Sequence, residues 1–287
     1  MTAQHKRPAV EGSAGRAKES KADFHPVLRT VGKMIKKLRE RAGLTQPEFA
    51  LAIGYGVDQV AAVERGRRAP KPEFMAAAER VLDAQGLLDA VQEEVEEARY
   101  PPRFQEFVRL EAEALEIHTY STQVVPGLLQ TEAYARALYT MRRPAFTEEV
   151  IEQQVEARLA RHRIFSRQPP PITSFVIEEA VLRRPLGGRE VMRNQLQHLL
   201  TAGQMRTVEI QVMPTGREEH AGLVGPMTLL ETADETRVAY SEGQEKSRWF
   251  LERPEVRAID IRYGIIRAQA LTPSDSLGYI ETLQGET

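Results

Sequence analysis

Between His25 and Pro72 the chain carries ten Lys or Arg residues against four Asp or Glu. Cations packed this densely neutralise backbone phosphates and release their condensed counterions. The spacing of Ala50, Gly54 and Val60 inside the block gives the cations a scaffold. Two helices that cross over a very short turn need a small residue at the crossing, which Ala50 supplies. The turn needs positive φ, which Gly54 permits, and the second helix needs an inward apolar residue, which Val60 supplies. The expected chemistry is the binding of double-stranded DNA by a helix-turn-helix.

Other chemistries find little support. There are no cysteines, so disulfides and thiolate chemistry are excluded. His118, His162, His198 and His220 lack metal-ligand spacing. Glu178 and Glu179 are neighbours at a strand end and point to opposite faces. No G-x-S-x-G occurs, and Gly187-Gly188 reads as a loop before a helix. We expect no catalytic residue, metal or cofactor. No apolar run approaches the roughly 18 residues of a membrane helix, and no secretory signal opens the chain. A cytoplasmic protein with no membrane partner is expected.

The elements that position the basic block follow from periodicity. Val31, Met34, Ile35 and Leu38 recur at helical spacing. Thr45 and Glu48 have the spacing of a capping box at the start of the next helix. Gly54 and Gly56 break the chain, Val60 and Val63 resume it, and Gly66 ends that helix. Pro70 and Pro72 open another, through Leu82. Four domains are expected: a disordered basic tail over 1–25, a helix-turn-helix domain over 26–84, an acidic helical connector over 85–100 and an α+β domain over 101–287. The last should place helices at 103–115, 130–142, 147–166, 188–202, 253–269 and 274–284, and strands at 116–125, 172–178, 207–213, 226–232 and 236–241. The fold class is therefore multi-domain, an all-α unit followed by an α+β regulatory unit. Trp249, the only tryptophan, is expected to pack in the core.

Leu38-Arg39, Ala42-Gly43-Leu44-Thr45-Gln46 and Val63-Glu64-Arg65-Gly66, together with Ala50, Gly54 and Val60, resemble the Xre-type helix-turn-helix family of phage repressors and bacterial regulators. The resemblance implies a lambda-repressor-like fold and a buried ion pair between Arg39 and Glu64. It places Gln46 where it can reach a phosphate or base edge. It sets positions 55–62 in the major groove, Tyr55, Val57, Asp58, Gln59 and Ala62 among them, with Arg65, Arg67, Arg68 and Lys71 as phosphate contacts. The chain departs from the family at its reading positions. Val57, Asp58, Ala61 and Ala62 leave Gln59 as the main polar reader, for adenine. Val57 can touch a thymine methyl and Asp58 can accept from cytosine, but Asp58 also repels phosphate. Affinity dominated by phosphates is expected, with modest specificity, more dependence on DNA shape, or dependence on a partner.

Farther along stand Val125-Pro-Gly-Leu-Leu-Gln-Thr-Glu132, Tyr134-Ala-Arg-Ala-Leu138, Glu179-Ala-Val-Leu-Arg-Arg-Pro185 and Val208-x-x-Gln-Val-x-Pro214. They resemble the C-terminal domain of the actinobacterial WhiJ-like, antitoxin-like regulators. That resemblance implies pairing with a small protein encoded nearby, and it assigns no functional residue. As packing, Pro126-Gly127 reads as a turn, Leu128 and Leu129 as core and Thr131 as a helix cap. A homodimer is expected, since one helix-turn-helix reads few base pairs and two reach half-sites about 34–36 Å apart. The function expected is a sequence-directed regulator of transcription controlled by a small protein or ligand. The alternative is an antitoxin-like module that restrains a small protein and uses DNA binding for autoregulation.

Overall fold

A computed structural model describes residues 26–99, 102–243 and 247–287. The expected tail over 1–25 lies outside the described residues.

The first unit is helical. Helix α1 (Pro26–Arg41) buries Leu28, Val31, Ile35 and Leu38, the stripe its period requires. Helix α2 (Gln46–Ile53) starts at Thr45, whose hydroxyl accepts from the Glu48 N–H while the Glu48 carboxylate accepts from the Thr45 N–H, a complete capping box. Helix α3 (Val57–Glu64) and helix α4 (Pro72–Leu82) follow. The segment expected as a separate connector does not stand apart. Helix α5 is short (Gln92–Glu97), and Leu88, Val95 and Ala98 are buried in the same core as Phe49, Val60 and Phe74. Few inward apolar residues amid many glutamates made this layer look solvated. Helix α6 (Pro102–Glu113) leads into the second unit.

The second unit is built on a six-stranded mixed sheet in the order β3-β2-β1-β4-β5-β6. The strands are β1 (Glu116–Ser121), β2 (Ile172–Glu178), β3 (Val208–Met213), β4 (Met227–Glu231), β5 (Arg237–Ser241) and β6 (Arg248–Phe250). Strands β1, β2 and β3 run parallel, while β4, β5 and β6 pair antiparallel. Alternation divides each strand between two cores: Phe175 and Ile177 face one, Val176 the other. Helices α7 (Glu132–Thr140), α8 (Glu148–Ala160), α9 (Glu179–Arg183), α10 (Arg189–Ala202), α11 (Arg253–Gln269) and α12 (Pro273–Glu286) complete it. Residues of α10 and α12 pack in the first core, and Val256, Ile259, Tyr263 and Ile266 of α11 in the second.

Differences from the expected elements are local. Strand β1 ends at Ser121 because the chain leaves the sheet toward Pro126. Strand β6 and helix α9 are too short for a period to show. Leu128 and Leu129 are buried, and the Thr131 hydroxyl caps α7 by accepting from the Tyr134 N–H. Trp249 is half-buried on β6, its ring 4.9 Å from that of Tyr240 and 6.2 Å from Phe107. Among the described residues no helix is long and apolar enough to cross a membrane.

Candidate nucleic-acid interface

The turn between α2 and α3 is held by backbone. Gly54 closes α2 at φ 76°, ψ 32°, a left-handed conformation that costs glycine little. The Tyr55 N–H then donates to the Ala50 carbonyl at 2.9 Å. Ala50 is buried at the crossing, and Val60 and Val63 anchor α3 from its inner side. Close approach also governs the far end of α3. A Cβ on Gly32 would collide with the carbonyl oxygens of Val63 and Glu64, so α1 lies directly against that backbone.

The fold brings Arg39 and Glu64 together in a bidentate pair, Nε to Oε1 at 2.6 Å and Nη2 to Oε2 at 3.1 Å. Nη1 of Arg39 donates to the Leu44 carbonyl at 2.7 Å. Both side chains are buried, so charge is matched where water cannot solvate it. Gln46 joins them, its Nε2 donating to Glu64 Oε2 at 2.7 Å. Its amide nitrogen is thereby committed to the pair, which fixes the half-buried side chain at the start of α2.

The other expected residues divide into three groups. Val57 and Asp58 are exposed at the start of α3, and Gln59 and Ala62 are half-buried along it. Tyr55 is not presented outward. It is half-buried, its ring 4.9 Å from that of Phe74 in an edge contact, because the αL turn tips it toward the helical core. Arg65 and Arg67 are exposed, although Arg65 Nε also donates to the Ala61 carbonyl at 2.9 Å.

Arg68 and Lys71 are already engaged. Glu156 of α8 accepts from Arg68 Nη2 at 2.8 Å and lies 3.1 Å from Lys71 Nζ. Gln153, one turn earlier, donates from Nε2 to the Arg67 carbonyl at 2.6 Å. The segment after α3 is therefore tied to the second unit. Sequence reasoning missed Gln153 and Glu156: they lie 86 and 88 positions from their partners, and nothing local marks a polar helix residue as a long-range link.

In the second unit the fold gathers groups that sequence distance had separated. His220 Nε2 lies 2.8 Å from Glu178 Oε1, which also accepts from the Tyr120 hydroxyl at 2.5 Å. Glu179 faces away, bonded to Tyr279, Arg183 and the Thr215 N–H, and these donors, Tyr279 foremost, hold its carboxyl down at about 2. The rings of His162 and His198 stack at 6.3 Å, and burial pushes both below the ordinary histidine range.

Comparison with curated proteins and with solved structures returned no match. Residues 31–97 match a family described as a helix-turn-helix domain, so the first unit is a DNA-binding domain of that kind, fitting a regulator. That match runs past Leu82 to the end of α5. Residues 104–282, more than half of the chain, match the domain of unknown function DUF5753, and the chain belongs to that family.

Proposed function

We propose that this protein is a sequence-directed transcriptional regulator of the Xre type, binding duplex DNA as a dimer and controlled through its C-terminal domain. The observation that carries the reading is the presentation of α3. Val57 and Asp58 stand exposed at its start with Gln59 beside them, and exposed Arg65 and Arg67 follow its end. Under this reading Val57, Asp58, Gln59 and Ala62 meet base edges. Gln46, Tyr55, Arg65 and Arg67 flank them, and Arg68 and Lys71 reach phosphate when Glu156 releases them. The link from Gln153 and Glu156 to the DNA-binding segment gives the C-terminal domain a means of control.

The test is titration of labelled duplex at rising salt. Neutralising several phosphates makes log K fall with log salt at about −0.9 per contact. A slope of only one or two contacts contradicts the phosphate-dominated reading, and no binding at low ionic strength refutes the assignment. A second reading, the antitoxin-like module, is favoured by Leu223 and Val224, apolar loop residues 81 % and 80 % exposed. It requires a complex with a small protein that keeps its biological effect without α3.

A further inference from the structure

A cavity of about 520 Å³ opens at the C-terminal end of β1, where the parallel half of the sheet meets the antiparallel half. That volume lies in the range of small-molecule sites. Its walls come from α6, the loop from Ser121 to Leu128, the end of α7, the end of α8, and the edges of β4 and β5.

The wall chemistry is unequal. Apolar area comes from Phe107, Leu138, Met227 and the ring of Tyr240. Charge is concentrated at the end of α8. Arg161 is matched by Glu111 through two bonds of 2.7 Å. Arg158 is not matched. Its Nε and Nη2 both donate to the Tyr139 hydroxyl, at 3.1 and 2.8 Å, and among the described residues it has no carboxylate partner. A Cβ on Gly127 would collide with the Arg158 guanidinium and press on that of Arg161, so the two cations are neighbours over this glycine. Arg142 adds a third, against one exposed carboxylate among the described residues, Glu242. Arg158, beside the Arg161–Glu111 pair and with no carboxylate of its own among the described residues, leaves a positive charge next to an apolar wall, and an anion relieves it. Independently, Gln130 lines the cavity at 1 % exposure. Its Nε2 donates to the Val125 carbonyl at 2.7 Å, while among the described residues Oε1 has no partner. A buried acceptor of this kind calls for a donor.

We propose that this cavity binds a small organic anion with an aromatic or apolar body, its acid group at Arg158 and a donor group at Gln130. The site deepens the reading of the C-terminal domain as the controlling unit and rests on that reading for its purpose. Arg158 lies two residues from Glu156, so the anion binds on the helix that holds Arg68 and Lys71. Occupancy itself does not require DNA.

The test uses the full chain with two dyes that share a body and differ in charge, anilinonaphthalene sulfonate and neutral phenylnaphthylamine. Trp249 packs on Phe107 and Tyr240, which line the cavity, so dye bound there must accept energy from the single tryptophan. We expect one saturable site, with the sulfonate bound about tenfold more tightly than the neutral dye. Arg158→Gln should erase that preference, and Arg158→Lys should restore part of it. Equal affinity of the two dyes for the unmodified protein overturns the proposal without reliance on any variant. So does a sulfonate preference that persists in Arg158→Gln, or dye binding without transfer from Trp249. If the sulfonate binds as described but the chain never binds duplex, the cavity stands and the regulatory reading falls.

Discussion

Glu156→Gln should strengthen DNA binding and steepen its salt dependence. The substitution keeps the shape of the side chain and removes the charge that Arg68 and Lys71 share. All three side chains are partly exposed, Arg68 to 26 %, Lys71 to 40 % and Glu156 to 25 %, so each link is worth no more than about 1 kcal/mol. Glu156 otherwise keeps both cations from phosphate, so freeing them is worth roughly 1–2 kcal/mol to DNA binding, a gain of about fivefold to thirtyfold in affinity at low salt. If both cations then reach phosphate, the slope of log K against log salt steepens by about 1.8. Across a fourfold rise in salt that is a further loss of about tenfold, so the advantage fades as salt rises. Fluorescence anisotropy of a labelled duplex across such a series measures both quantities. Loss of a negative charge anywhere near DNA also raises affinity, and Glu149→Gln controls for this. Glu149 lies on the same helix, near Arg67, and makes no ion pair among the described residues. If Glu156→Gln matches the unmodified protein in affinity and slope, or if Glu149→Gln does as much, the link does not restrain the DNA-binding segment.

Three further outcomes are expected. Glu64→Ala strands the Arg39 guanidinium in a buried site and should cost about 3–5 kcal/mol, lowering the melting point of the helical unit by more than about 10 °C. Arg39→Met with Glu64→Leu should recover most of this; far-UV circular dichroism follows the loss, because Trp249 reports only on the other unit. Gly66→Ala should destabilise more than Gly54→Ala. Both glycines have positive φ, costing about 1–2 kcal/mol, but only at Gly66 would a Cβ also fall 2.7 Å from the Arg29 Cα, whereas Gly54 faces open space. Equal melting points for the two would refute that difference. Burial lowers His162 and His198, with a hydrogen bond to Gly127 opposing it at His162. The unfolded chain therefore binds more protons below about pH 6.5, and stability is full above that value and falls as the pH drops beneath it. Trp249 emission during melts from pH 8 to 5 should show this slope, and His162→Gln with His198→Asn should flatten it.

Where neighbouring residues decide the structure, the sequence was enough to read it. The α1 stripe, the Thr45–Glu48 box, the Gly54 turn and the helix over 253–269 follow from spacing alone, because each is fixed by contacts within a few residues. The pairing of Arg39 with Glu64 was anticipated only through family resemblance. Outcomes set by distant partners were not legible. Tyr55 looked like a surface residue of the reading segment until Phe74 was placed beside it. Arg68 and Lys71 looked like free cations because Glu156 sits in an ordinary polar helix. The cavity is assembled from stretches far apart in the chain, and Arg158 acquires its meaning only when Gly127 and Arg161 are set against it.

These non-local features bear on how such a regulator would be controlled. On the proposed reading, α3 brings few polar groups to the base edges: Gln59, Asp58 and otherwise apolar Val57 and Ala62. Little sequence-reading energy is therefore available to gain or lose. The phosphate term is larger, and two of its four candidate cations, Arg68 and Lys71, are held by one carboxylate on α8. Anything that moves Glu156 changes the count of free cations from two to four without touching the reading surface. Control then acts on affinity at every site in proportion, and preference among sequences stays constant. The duplexes bound best by Glu156→Gln should accordingly be those bound best by the unmodified protein, each more tightly. A changed order of preference between the two would show that α8 also alters how α3 sits, and that phosphate counting is too simple.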